Sequence, residues 1–183
     1  MDACLGCRSG GNDSTYSRPA RPAGRRAKLR QGYVVALNRY ESVPYVWGGE
    51  GLRGIDCSGL VRRGMIDADL KTGFATANPA LIRAGCDLWW HDCSAKALKE
   101  EYRHQTQLLL TTSSLNHLNY AALLPGDFAV TDSGVHTLAY IGNQTWLEAD
   151  PGAWKVIKVK IPSKIAWFSQ PMHIMRWRQL ATP

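Results

Sequence analysis

What the chain lacks narrows the field first. No apolar run approaches the roughly 18 residues that a membrane-crossing helix needs. The longest runs are short and interrupted, so no stable membrane insertion is expected. Acidic residues are scarce: 15 Asp and Glu face 22 Lys and Arg, a net charge of +7. That imbalance is local. Residues 1–30 hold seven basic side chains (Arg8, Arg18, Arg21, Arg25, Arg26, Lys28, Arg30) and only two acidic ones, Asp2 and Asp13. A basic arm can meet nucleic acid, anionic lipid or an acidic wall polymer. No nucleic-acid recognition motif accompanies it, so nucleic acid is not expected as a partner, and a solvated tail is the simpler reading.

Cysteine is sparse and odd in number: Cys4, Cys7, Cys57, Cys86 and Cys93. No second pair at zinc-site spacing follows Cys4 and Cys7, so no metal or other cofactor is expected. Cys86 and Cys93 could pair in an oxidising compartment, and His91 between them makes a metal site conceivable. A secretory leader is also missing, since "MDACLGCRSGG" has neither a basic nor an apolar leader region. That leaves a trimmed start, export by another route, or a chain that never leaves the cell.

What is there has a clear order. Residues 1–26 are rich in Gly, Ser, Pro and Arg without periodicity and read as a flexible arm. One domain, 27–183, follows, long enough to bury a core. Leu29, Tyr33, Val34, Ala36 and Leu37 mark an amphipathic helix over 27–40, with Gly32 as its weak point. A glycine-rich loop spans 48–54, and a second helix begins at Asp56–Cys57. Residues 70–120 are the least legible, with an aromatic "CDLWWHDC" and then a polar helical run, "SAKALKEEYRHQTQLL". Beyond them "GDFAVT", "VHTLAYIG", "TWLEAD", "WKVIKVKI" and "MHIMRWRQ" are strand-like, with Asn143-Gln144 as a hairpin turn. Helices followed by antiparallel strands predict an α+β fold.

Chemistry centres on Cys57. A thiol becomes a good nucleophile when a helix N-terminus and a neighbouring imidazole stabilise its thiolate. Cys57 follows the turn-forming "GLRGID" and opens a helical pattern, although a buried structural cysteine is the commoner fate. Of the five histidines, His104 looks solvent-facing, His117 sits in a loop-like "SLNHLN", His173 reads as structural or exposed, and His91 lies in the aromatic loop where it could touch a ligand. His136 opens a strand, where a base can face a helix N-terminus. Across the hairpin, Glu148 shares its face and can orient it by accepting the other ring N–H. Asp150 has the same parity but lies nearer the strand end. The plain alternative for both is a surface carboxylate.

"PYVWGGEGLRGIDCSGLV" resembles the nucleophile motif of the NlpC/P60 family of papain-like cysteine peptidases, and "LLPGDFAV…GVHTLAYIGN…WLEA" resembles that family's second block. Both occur in the family's order and cover about residues 29–61 and 121–150, plus the trailing strands. The resemblance implies a helical bundle packed on a short antiparallel sheet. It assigns Cys57 as nucleophile, His136 as base and Glu148 as orienter, where the family more often has His, Asn or Gln. Tyr45, Asp56 and Ser58 match its substrate-contacting positions, and Trp47 beside them joins that set. The implied substrate is the peptide stem of bacterial peptidoglycan, often cut between γ-D-glutamyl and a diamino acid.

Seventy-nine residues separate Cys57 from His136, more than is usual in the family. The excess at about 70–120 is expected to form a lid or wall with Trp89 and Trp90 as contacts, or a small satellite core. A wall-degrading enzyme without a leader suggests an antibacterial effector, with a secretion-system component or an immunity protein as partners, acting in a bacterial periplasm or cell wall. A thiol amidase or acyltransferase and an inactive wall-binding module are the alternatives.

Overall fold

Pro22 opens the first helix, α1 (Pro22–Asn38), inside the stretch expected to be an arm. The computed structural model describes residues 22–181; Cys4, Cys7 and most of the basic arm lie outside them. Proline suits a first helical turn because its missing N–H has no intrahelical acceptor there anyway. Leu29, Tyr33, Ala36 and Leu37 are buried. Gly32 is not a weak point. A Cβ there would stand 3.3 Å from Oγ1 of Thr72, so the glycine lets two helices approach closely.

After α1, the glycine-rich loop is a two-stranded ladder, β1 (Glu50–Gly51) and β2 (Gly54–Ile55). The central helix α2 (Cys57–Ala75) follows, with Asp56 as its N-cap. Leu60, Val61, Met65, Ile66 and Ala68 are all buried, because α2 lies between α1 and α3 and also meets the sheet. A helix covered on most sides must be apolar on most sides.

The segment 70–120 holds α3 (Pro79–Trp90), α4 (Ala95–Lys99) and a strand, β3 (Thr106–Thr112). Here the expectation of a long polar helix fails. The helix stops at Lys99, and Glu101, Arg103 and His104 take left-handed backbone angles, φ 57°, 48° and 58°. The chain then turns into β3. Cys86 and Cys93 are free thiols, one exposed on α3 and the other buried beyond it, so the disulfide considered for them is not formed.

The remaining strands fall where the alternation puts them: β4 (Phe128–Thr131), β5 (Thr137–Gly142), β6 (Thr145–Asp150), β7 (Lys155–Lys160) and β8 (Met172–Trp177). With β3 they form one antiparallel sheet in the order β3-β8-β4-β5-β6-β7. Asn143 and Gln144 both have positive φ, 51° and 56°, as a two-residue hairpin turn requires. The helices cover one face of the sheet, with Phe128, Ala139, Leu147 and Met175 in that core. The other face carries a second core of Leu138, Tyr140, Trp146 and Ile174, closed by short 3-10 turns at Leu115–His117 and Ala166–Ser169. Asp127 ties the layers together. Buried, it accepts two 2.7 Å bonds from Arg176 on β8 and lies 3.6 Å from Arg30 on α1.

Candidate active site

Cys57 is the first residue of α2. Its position is set by Asp56, whose Oδ1 accepts from the Gly59 amide at 2.6 Å and the Ser58 hydroxyl at 3.0 Å, while Oδ2 accepts from the Gly48 amide at 2.9 Å. The Leu60 amide donates to the Asp56 carbonyl. The amides of Cys57 and Ser58 are therefore the first-turn donors that α2 leaves without an acceptor of its own. Gly59 is needed here, since a Cβ would sit 2.4 Å from the Gly49 carbonyl oxygen. The glycines at 49 and 59 thus pack the loop on the helix, whereas Gly48 lines the cleft.

His136 precedes β5 in the tight loop "TDSGVH". Thr131 shapes that loop: its Oγ1 accepts from the amides of Val135 and His136, both at 3.1 Å. The Cys57 thiol donates a long contact, 4.0 Å, to the Val135 carbonyl, and it lies near enough to the His136 imidazole to act on its charge. Nε2 of His136 donates to Oε2 of Glu148 at 2.7 Å. Both partners are buried, with side chains 3% and 0% exposed. Even numbering places His136 and Glu148 on the face that carries Leu138, Tyr140 and Trp146. Oε1 of Glu148 is buried without a partner among the described residues.

Electrostatics favour a charged imidazole. Burial by itself lowers the pKa of His136, but hydrogen bonds and charge from Cys57 and Glu148 outweigh it and push the value up to about 9. Burial raises the Glu148 carboxyl, and His136 opposes that rise. Tyr45 stands close enough to Cys57 and Asp56 that their charges add to the effect of burial in raising its phenol.

A cleft of about 350 Å³ opens over this centre, lined by Trp47, Gly48, Glu50, Asp56, Cys57, Ser58, Asp92, Cys93, Ser94, Ala95, Gly134 and Val135. Residues 92–95 are the wall supplied by the 70–120 segment. Arg62 holds that wall. Its guanidinium is buried on α2, donates to the carbonyls of Leu88 and His91 and pairs with Glu50, with Asp92 3.6 Å away. Burial pushes the Cys93 thiol up to about 12 against the opposing Arg62 charge, so this second sulfur stays protonated.

Trp89 and Trp90 are brought to neither a satellite core nor the cleft lining. They stand 59% and 77% exposed on α3, edge to face at 6.3 Å. Trp47 is 83% exposed at the cleft rim. His91 bonds Asp87 through its ring, 2.9 Å from the carbonyl, and Arg62 through its own carbonyl; His104 and His117 are exposed, and His173 pairs with Asp132 at 2.9 Å. Trp167 was not signalled in the sequence. Its indole stacks on His136 with ring centroids 4.3 Å apart and planes at 22°. It belongs to no periodic run, and only the tertiary fold brings it there.

The NlpC/P60 family profile matches residues 42–176. The chain belongs to the NlpC/P60 family. Among solved structures, NlpC1 and NlpC2 from Trichomonas vaginalis are 19% and 20% identical over 82% of this chain, with TM-scores of 0.52 and 0.53. This chain spans less than half of either one, 45% and 47%. The peptidoglycan hydrolase RipB from Mycobacterium tuberculosis is 19% identical, with 91% of this chain and 73% of RipB covered and a TM-score of 0.51. At such identities the likeness establishes the α+β fold of NlpC/P60 domains. No curated protein sequence matches the chain.

Proposed function

We propose that this protein is a cysteine peptidase that hydrolyses the peptide stems of bacterial peptidoglycan, at the bond between γ-D-glutamyl and a diamino acid. The observation that carries it is the buried His136–Glu148 bond at 2.7 Å beside a cysteine on a helix N-terminus. Membership of the family and the likeness to RipB, a peptidoglycan hydrolase, support the substrate class.

The chemistry follows from positions. With His136 protonated, the Cys57 thiolate attacks the scissile carbonyl carbon, forming a C–S bond and an oxyanion. The Cys57 and Ser58 amides are placed to donate to that oxyanion. As the tetrahedral species collapses, the C–N bond breaks and His136 gives its proton to the leaving amine. His136 then takes a proton from water, whose oxygen attacks the thioester, and the Cys57 thiolate leaves as the acid product forms. Glu148 accepts the Nε2–H of His136 and fixes the ring. Tyr45, Asp56, Ser58 and Trp47 would contact the stem, and Trp89 and Trp90 the substrate beyond the cleft.

Carboxylates of Glu50, Asp56 and Asp92 border the cleft, which suits a peptide bearing free amines better than an anionic lipid. This favours the peptidase over a lipid acyltransferase. Action in a periplasm or cell wall follows from the substrate. The finer form of the reading is an antibacterial effector whose immunity protein covers the cleft.

Digestion of purified sacculi, with mass spectrometry of the soluble products, tests the proposal. Stem fragments with a new amine on the diamino acid are expected. Intact sacculi after prolonged incubation with folded protein would contradict it.

A further inference from the structure

We propose that Trp167 is a positioning residue for His136: its indole holds the imidazole in the plane that aims Nε2 at Glu148, and it keeps water off the His136–Glu148 bond. The catalytic part of this inference rests on the function proposed above; the structural part does not.

An in-plane hydrogen bond leaves a histidine ring free to rock about its soft terminal torsion. It also leaves the ring faces open to water. A flat group against one face removes both freedoms. The 22° interplanar angle and 4.3 Å separation are those of offset stacking in van der Waals contact. When the imidazole is charged, the negative face of the indole also attracts it. Exposure falls inward: Trp167 is half-buried, whereas the His136 and Glu148 side chains beneath it are 3% and 0% exposed.

The indole is itself held firmly. Trp167 lies in the turn Ala166–Ser169, and its neighbour Phe168 is fully buried in the second core. Ser114 donates to the Phe168 carbonyl at 2.8 Å. Asn116 donates to the Ser163 carbonyl at 2.9 Å and to the Ser169 hydroxyl at 3.2 Å, and accepts from the Ser163 amide at 2.8 Å. Two residues late in the 70–120 segment thus pin the turn that carries the stacking ring. This gives that segment a second role besides the cleft wall.

A residue that only filled the core would affect stability and nothing else. The test therefore follows the His136 ring itself in the full chain labelled with nitrogen-15 histidine. The wild type should show a sharp, strongly downfield Nε2–H proton that Glu148→Gln shifts upfield. In Trp167→Ala it should broaden or vanish through exchange with water, and kcat on stem peptides should fall by about tenfold or more with KM within about twofold. Trp167→Phe should restore both. If the alanine variant does not fold, Phe against Leu decides, because leucine fills space without a flat face. Equal spectra and kcat for Phe and Leu would overturn the proposal. So would a wild type with no protected Nε2–H proton, or a folded Trp167→Ala that keeps both the proton and its kcat, or that loses activity through KM alone. An enzyme inactive on stem peptides would sink the function proposed above, yet the spectra would still judge Trp167.

Discussion

His136 and Glu148 lie twelve residues apart in the chain, on the same face across a hairpin, and meet in a 2.7 Å hydrogen bond that water scarcely reaches. Other features of the centre are arranged around this pair: Cys57 nearby, Trp167 on one ring face, Thr131 behind the loop.

The pair predicts an alkaline limb in the rate. Burial works against the charged ring, and Cys57 and Glu148 reverse that and raise His136 to about 9. Activity that needs the imidazolium should persist below that pH and fall above it. The stability linked to this group should be fully present below about pH 6.5 and be lost as pH rises through about 9. Glu148→Gln keeps a hydrogen-bond acceptor but removes the charge. Its pH–rate profile should lose the alkaline limb about one pH unit earlier, with kcat lower by roughly tenfold to a hundredfold.

Asp69 on α2 should make the fold less stable at neutral pH than in mild acid. Burial raises its carboxyl from 3.8 to about 7, against a 2.9 Å bond from Gln179. The folded state therefore holds a proton that the unfolded chain releases, and stability should decline as pH rises from about 4 to about 7. Asp69→Asn should flatten that decline and be more stable than wild type at pH 8 by about 2 kcal/mol. Urea titrations at pH 5 and pH 8 would show it; equal midpoints for the two proteins at pH 8 would not fit.

Asp56 has two separable tasks. As the cap of α2 its carboxylate accepts from Gly59, Ser58 and Gly48. Asp56→Ala should cost about 1–2 kcal/mol in stability and most of the activity. Asp56→Asn keeps a capping oxygen, so it should melt close to wild type. If the carboxylate also anchors a substrate amine, KM for the asparagine variant should rise while the fold is spared.

Arg62 holds the wall of the cleft, and its loss removes the donor to Glu50 and the Leu88 carbonyl and leaves the His91 carbonyl to the Tyr102 hydroxyl alone. Arg62→Ala should lower stability by about 3 kcal/mol. Hydrogen exchange should quicken first in residues 88–95, while α1 and β8 stay protected.

Trp89 and Trp90 are exposed and should tolerate replacement. The double alanine variant should melt close to wild type. If these rings contact the polymer, cleavage of whole sacculi should slow several-fold while cleavage of a short soluble stem peptide does not change.

The centre was largely legible because its parts obey short-range rules. "GIDCSG" spells a cap and a helix start, and the hairpin turn at Asn143-Gln144 fixes the parity that brings Glu148 to His136. Strands β4 to β8 alternate or sit between turn residues and were readable for that reason. What escaped was set by tertiary contact. Nothing local stops α4 at Lys99, and "TQLL" reads as the end of that helix until β8 offers it an edge to pair with. Arg62 looks like an ordinary surface charge on a helix until α3 and the loop at Glu50 close over it. Trp167 sits in "SKIAWFSQ", a stretch without period, and only the fold sets it against His136. The tryptophans that stood out, Trp89 and Trp90, are instead those left in solvent.

The central claim is that Cys57 is the nucleophile. Wild type and Cys57→Ala, shown to be equally folded by thermal melting, are incubated with sacculi side by side and the released stem peptides are counted by mass spectrometry. Release by the wild type and none above background by Cys57→Ala is the predicted result. Equal release by the two proteins would contradict it.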